Sequence, residues 1–266
     1  MTRRERRLVR RFAFVLASLV GVGSGGSLVP RPLVAQSAAP AAPVPMPPHA
    51  MAWGTETFVL SEVLELAPTA RERAVRYDLV GWMGGASQRL WLKADGAVTT
   101  EEGRGRNELQ ALYGRLIAPF WDLQAGLWVD ADVGPDAARA FGGAAVGLQG
   151  LAPGWFEFEP TVFVSTLGDV GARLTASYDL YLTQRLIFQP RLEGAAWLRA
   201  RPARGIGAGI GETEFALRVR HELRRELAPY IGAVWERRFG ESGALARAAG
   251  VPDREVFFTL GVRAWW

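Results

Sequence analysis

The stretch "WDLQAGLWVDADV" (Trp121–Val133) sets Trp121, Leu123, Ala125, Leu127 and Val129 on one face of an extended chain. Asp122, Gln124, Gly126, Trp128, Asp130 and Asp132 fall on the other. Successive Cβ atoms of a strand point to opposite sides of a sheet, so a period of two marks a strand whose faces meet unlike surroundings. The pattern recurs. "WFEFEPTVFVS" sets Phe156, Phe158, Pro160 and Val162 against Glu157, Glu159 and Thr161. "ARLTASYDLYL" sets Leu174, Ala176, Tyr178, Leu180 and Leu182 against Arg173, Thr175, Ser177, Asp179 and Tyr181. "ETEFALRVRHEL" sets Phe215, Leu217, Val219 and His221 against Glu212, Glu214, Arg218, Arg220 and Glu222. The chain closes on "VFFTLGVRAWW", with Phe258, Leu260, Val262 and Ala264 on the apolar face and Arg263 on the other.

Alternation fits a soluble sandwich, with charges toward water, and a membrane barrel, with charges toward the lumen. Three features favour the barrel. Many segments run ten to thirteen residues, against a mode of about five or six in soluble sheets and about 9–11 for a tilted membrane strand. Twelve strands are expected, near 55–66, 75–83, 88–98, 108–117, 121–133, 141–151, 155–166, 170–182, 186–199, 211–223, 227–239 and 254–266. Every second connection is tight ("GGAS", "APF", "APG", "TQR", "RRE"). Most others are long and polar ("APTARERA", "TTEEGRGRN", "GPDAARA", "ARPARGIGAGI", "GESGALARAAGVPD"). An even strand count with short turns at one end and long loops at the other is the outer-membrane pattern. Finally, Trp82, Phe120, Trp121, Trp155, Phe156, Tyr230, Trp265 and Trp266 gather near the tight-turn end, as an interfacial girdle would. The first strand, "TETFVLSEVLEL", alternates poorly.

The amino terminus points to the same compartment. A basic n-region, "MTRRERRLVRR", precedes an apolar run, Phe12–Val22, too short to span a bilayer. Residues 1–35 are therefore expected to be a secretory signal peptide cleaved after Ala35. They hold seven Arg and one Glu, so the formal +4 of the whole chain becomes about −2 after processing, which removes the case for nucleic acid. Cysteine is absent, which excludes disulfides, thiolate metal sites and a lipidated Cys. Residues 36–54, Pro/Ala-rich, are expected to be an extended periplasmic linker, and residues 55–266 the barrel.

Taken in order, "RLWLKADG", "LYGRLIAPFWDLQAGL", "GLQGLAPGWFEFEPTVFVS", "YDLYLTQRLIFQPRLE" and "RGIGAGIGETEFALRVRHELRRELAPYIGAVWERRFG" resemble the copper resistance protein B family over nearly all of residues 77–266. The resemblance implies a non-catalytic outer-membrane barrel of Gram-negative bacteria that handles copper between periplasm and exterior. A periplasmic copper protein is the partner it implies. Family members often carry a long Met/His-rich amino-terminal tract; here it is reduced to "MPPHAM", leaving Met46, His49 and Met51. Thioether sulfur favours Cu(I) and imidazole binds either oxidation state, so these three residues are the candidate metal ligands. The alternative is a Pro-rich linker in a structural or general small-solute channel. Trp266 resembles the terminal aromatic read by the outer-membrane assembly machinery, the other expected partner besides outer-membrane lipid.

Other candidates carry structural expectations. His221 falls on the apolar face near "RRE", an interfacial position. Phe188, Pro190, Leu192, Ile231, Ala233 and Trp235 around it offer no hydroxyl for a lipase-type Ser–His pair. Met83 is expected outward near the periplasmic rim. "GIGAGIG" (Gly205–Gly211) lacks a P-loop Lys and is expected to be a mobile outer loop. Asp122, Asp130, Asp132, Glu157, Glu159, Asp179, Glu193, Glu212, Glu214, Glu236 and Glu255 are expected inward, with Arg89, Lys93, Arg173, Arg191, Arg218, Arg220, Arg238 and Arg263. Paired charges filling a lumen account for this set better than a glycosidase pair, because isolated charges are costly to desolvate.

Overall fold

The computed structural model describes residues 55–69, 72–134 and 140–266. Its strands are β1 (Glu56–Pro68), β2 (Arg73–Gly84), β3 (Gln88–Thr99), β4 (Gly105–Ala118), β5 (Trp121–Val133) and β6 (Ala140–Ala152). They continue as β7 (Phe156–Ser165), β8 (Val170–Ser177, resumed at Leu180–Tyr181), β9 (Leu186–Trp197), β10 (Gly209–His221), β11 (Leu227–Arg238) and β12 (Arg254–Trp265). Each strand pairs antiparallel with its neighbours in sequence, and β12 returns to β1, giving a closed 12-strand barrel. No helix among the described residues is long and apolar enough to cross a membrane, which says nothing of a β-barrel.

Closure is made by the chain end itself. Leu60 lies opposite Trp265 and Leu66 opposite Leu260. The Trp266 amide donates to the Val59 carbonyl at 2.9 Å, and the Val59 amide donates back at 3.0 Å. Ordinary barrel burial follows from the alternation. In β5, Leu123, Leu127 and Val129 are exposed, while Asp122, Gln124, Trp128 and Asp130 are buried.

The poor alternation of β1 has a local cause. Register shifts between Ser61 and Val63, where Ser61 faces Leu79 and Val63 faces Asp78, leaving Glu62 as the extra residue. A bulge of one residue flips side-chain parity. Phe58, Leu60 and Glu62 share one parity before it, and Val63, Glu65 and Ala67 continue the inward face after it. The break in β8 also has a chemical reason. The Tyr178 amide donates to Pro190 O at 3.1 Å, and proline has no N–H to return the ladder bond.

Three of the expected girdle aromatics turn inward. Trp82 and Trp265 pack on Phe58, with centroids 6.0 and 6.1 Å away, and Tyr230 is buried. Phe120, Trp155, Phe156 and Trp266 are exposed at the tight-turn end. The long connection after β11, expected as a loop, contains a helix, α1 (Gly240–Ala248). The glycine-rich loop docks on it. The Gly207 amide donates to Ser242 Oγ at 2.8 Å and the Ala208 amide to Glu241 Oε2 at 2.9 Å. Glycine is required at 207, since a Cβ there would lie 2.2 Å from the Ser242 nitrogen.

Candidate functional site: the barrel lumen

One side of the lumen is filled by ring packing. Trp91, Leu112, Trp128, Phe141, Ala145 and Phe163 form a buried cluster, with Trp197 packed against it. Trp128 lies edge-on to Phe141 and to Phe163, with both centroids 5.1 Å away. Elsewhere the lumen is polar. Each of the eight expected inward cations has a carboxylate partner. Arg89 pairs with Asp122 at 3.2 Å, Lys93 with Glu159 at 2.5 Å, and Arg173 with Glu108 at 2.7 Å. Arg191 pairs with Asp78 at 2.7 Å, Arg218 with Glu65 at 3.2 Å, Arg238 with Glu212 at 2.7 Å and Arg263 with Glu62 at 2.7 Å. Arg220 pairs with Asp179. Several of these bonds are struts across the lumen: Lys93 on β3 reaches β7, Arg173 on β8 reaches β4, and Arg191 on β9 reaches β2.

Strand register arranges the carboxylates in two rungs. On β2 to β5, Asp78 lies opposite Asp95, Asp95 opposite Glu108, and Glu108 opposite Asp130. On β9 to β12, Glu193 lies opposite Glu214, Glu214 opposite Glu236, and Glu236 opposite Glu255. Like charges directly opposite in a sheet repel, so such rows persist only with counter-charge or solvent. Guanidiniums supply most of it. Arg191 bridges Asp78 and Glu193 (2.7 and 3.3 Å), Arg173 bridges Glu108 and Glu193 (2.7 and 3.6 Å), and Arg76 reaches Glu214 and Glu236. Asp95 is the exception. It has no ion pair or hydrogen bond among the described residues, and its side chain is exposed.

The barrel opening at the long-connection end is narrowed by the connection between β9 and β10. Arg204 pairs with Asp130 of β5 at 2.8 Å, and its guanidinium lies 5.1 Å from the Phe141 ring centroid. Arg201 donates to the buried Asp169 at 2.7 Å, and Ile206 is buried. Three strands separate β5 from β9, so the loop reaches across the opening, with α1 behind it. Replacing Arg204 with Ala is expected to raise single-channel conductance in planar bilayers. Asp130 keeps Arg106, so the stability loss stays within about 1–3 kcal/mol. Unchanged conductance would mean that this loop does not limit flow.

Met46, His49 and Met51 lie outside the described residues. Met83 and His221 are both exposed on the outer face. Among the described residues no group of three His, Cys, Asp or Glu has a metal-holding arrangement. Glu62, Glu65, Asp78, Asp95 and Glu108 were not identified from sequence. For Asp95 the signal was available, since the parity of Arg89 and Lys93 continues to it. For Glu62 and Glu65 the bulge hid it.

A closed barrel with an apolar exterior, an aromatic rim and a charged, cross-braced lumen is a transmembrane barrel of the outer-membrane class. The chain belongs to the copper resistance protein B family: the family model described as Copper resistance protein B precursor (CopB) matches residues 55–266. Copper resistance protein B of Escherichia coli is 37% identical over 246 residues, covering 88% of this chain and 81% of that protein. The Copper resistance protein B homolog of Pseudomonas syringae pv. tomato (strain ATCC BAA-871 / DC3000) is 36% identical over 213 residues, covering 79% and 70%. Among solved structures, the NanC porin in a rhombohedral crystal form matches at 12% identity and a TM-score of 0.48, over 79% of this chain and 99% of that one.

Proposed function

We propose that this protein is a non-catalytic copper-resistance barrel of the outer membrane that binds copper or passes it between periplasm and exterior. Family membership across the whole barrel carries this reading. The distribution of ligand types refines it. The barrel's one methionine and one histidine, Met83 and His221, face away from the lumen, which offers oxygen donors only. Carboxylates bind soft Cu(I) poorly, so the rungs attract the ion without trapping it. A softer capture site then falls to Met46, His49 and Met51, on the periplasmic side, where a periplasmic copper protein would deliver or receive the ion. In this reading Trp266 serves as the terminal signal for the outer-membrane assembly machinery.

The test joins growth and spectroscopy. A deletion strain is complemented with wild type, with Met46, His49 and Met51 all replaced by Ala, or with Asp95→Asn, and grown across a copper series. The purified proteins are titrated with Cu(I) under reducing conditions. The triple variant is expected to lose Cu(I) binding, and Asp95→Asn to keep binding but lose part of the tolerance. Copper tolerance unchanged by the deletion would overturn the copper role and leave a structural or general small-solute channel. Binding that survives the triple replacement would move the site into the barrel.

A further inference from the structure

The outward face of β11 and β12 is a ladder of apolar pairs that ends in two cations. Ile231 lies opposite Leu260, Ala233 opposite Phe258 and Trp235 opposite Val256, and then Arg237 lies opposite Arg254. Both arginines are exposed, and neither has an ion-pair partner among the described residues. The adjacent carboxylates Glu236 and Glu255 belong to the lumen face. The Arg237 guanidinium is held over the Phe239 ring, 4.7 Å from its centroid. Two like charges directly opposite in a sheet are unfavourable unless an anion lies between them.

Position identifies the anion. From Arg254 to Trp266, at roughly 3.3 Å per residue and about 40° of tilt, the strand climbs roughly 30 Å, the thickness of a hydrocarbon layer. With the tight turns on the periplasmic side, an orientation on which the inference rests, the pair stands at the headgroup level of the outer leaflet. We infer that Arg237 and Arg254 form a binding site for the phosphate of a phosphorylated glycolipid of that leaflet. Guanidinium forks match phosphate oxygens bidentately, and one phosphate group between the two side chains relieves their repulsion. The exposed Val256 and Phe258 below offer contact for the acyl chains.

The full-length protein in detergent is titrated with diphosphorylated lipid A, dephosphorylated lipid A, phosphatidylcholine and inorganic phosphate, and read by native mass spectrometry. Wild type is expected to bind diphosphorylated lipid A at least about tenfold more tightly than Arg237→Gln/Arg254→Gln, the effect of losing two charge-assisted bonds. Arg185→Gln, on a tight turn at the opposite end, is expected to match wild type. Equal affinity of the double variant, equal binding of dephosphorylated lipid A, or equal occupancy by inorganic phosphate would each overturn the proposal. Folding is checked by the migration of unheated samples. If the double variant does not fold, Arg237→Lys and Arg254→Lys replace it, and wild-type affinity in both is overturning. Orientation is measured separately. The chain has no cysteine, so labelling of Ala248→Cys on whole cells with an impermeant maleimide reports whether this end faces outward, whatever the lipid result.

Discussion

Arg218→Ala is expected to destabilise the barrel by about 3–5 kcal/mol, because it leaves a buried carboxylate without its main counter-charge. Glu65 has no exposed side-chain surface and receives both Arg218 Nε and Nη2 at 3.2 Å. The Tyr230 hydroxyl donates to it at 2.9 Å, and Arg76 stands 3.5 Å away. These groups come from β1, β10, β11 and β2, so the cluster braces the place where the barrel closes. There the register between β1 and β12 shifts between Ser61 and Glu65, which interrupts the ladder. Loss of Arg218 should therefore act at the seam first. Hydrogen exchange of the β12 amides is expected to rise more than that of β4 or β5, with denaturant unfolding in vesicles giving the overall loss. Arg218→Met combined with Glu65→Gln should recover much of it, since the uncompensated charge is then gone. A single variant within about 1 kcal/mol of wild type would mean that water solvates Glu65 and that the pair contributes little.

The second large effect is expected at Trp128. Its indole is 1% exposed and packs on Phe141, Phe163 and Trp197. Trp128→Ala should cost about 3–5 kcal/mol through lost burial and a residual cavity. In a barrel, the same void widens the lumen, so single-channel conductance should rise together with the loss of stability. Trp128→Phe separates the two effects. The indole Nε1 has no partner among the described residues, so phenylalanine removes an unsatisfied donor, keeps most of the packing and should leave conductance near wild type. Equal conductance in all three proteins would show that the pathway is closed elsewhere, with Arg204 at the long-connection end the next constriction to remove.

How much of the fold was legible depended on whether parity held. In β5 it runs unbroken, and the expected bounds 121–133 coincide with the observed strand. In β1 one extra residue at Glu62 reverses it, and two carboxylates of the lumen network went unread. Helix α1 was missed because its sequence, "GESGALARA", has a small apolar face and lies between strands. Its partner, the Gly207 segment, carries no periodicity at all. The inward turn of Trp82, Trp265 and Tyr230 was missed for another reason: proximity to the tight turns fixes depth in the membrane and leaves the facing side open.

The sequence by itself determined the barrel, its strand number, the separation of its short and long connections to opposite ends and which charges face inward in the regular strands. These follow from the period-two geometry of the backbone and from the cost of placing charge against lipid. Only the tertiary structure decided which charges meet. Partners such as Lys93 and Glu159, or Arg204 and Asp130, lie 66 and 74 residues apart and come together across a lumen. The two carboxylate rungs, and the lack of an ion-pair partner for Asp95 among the described residues, arise from strand register. Register is set by bulges and by barrel closure, which short-range alternation does not encode.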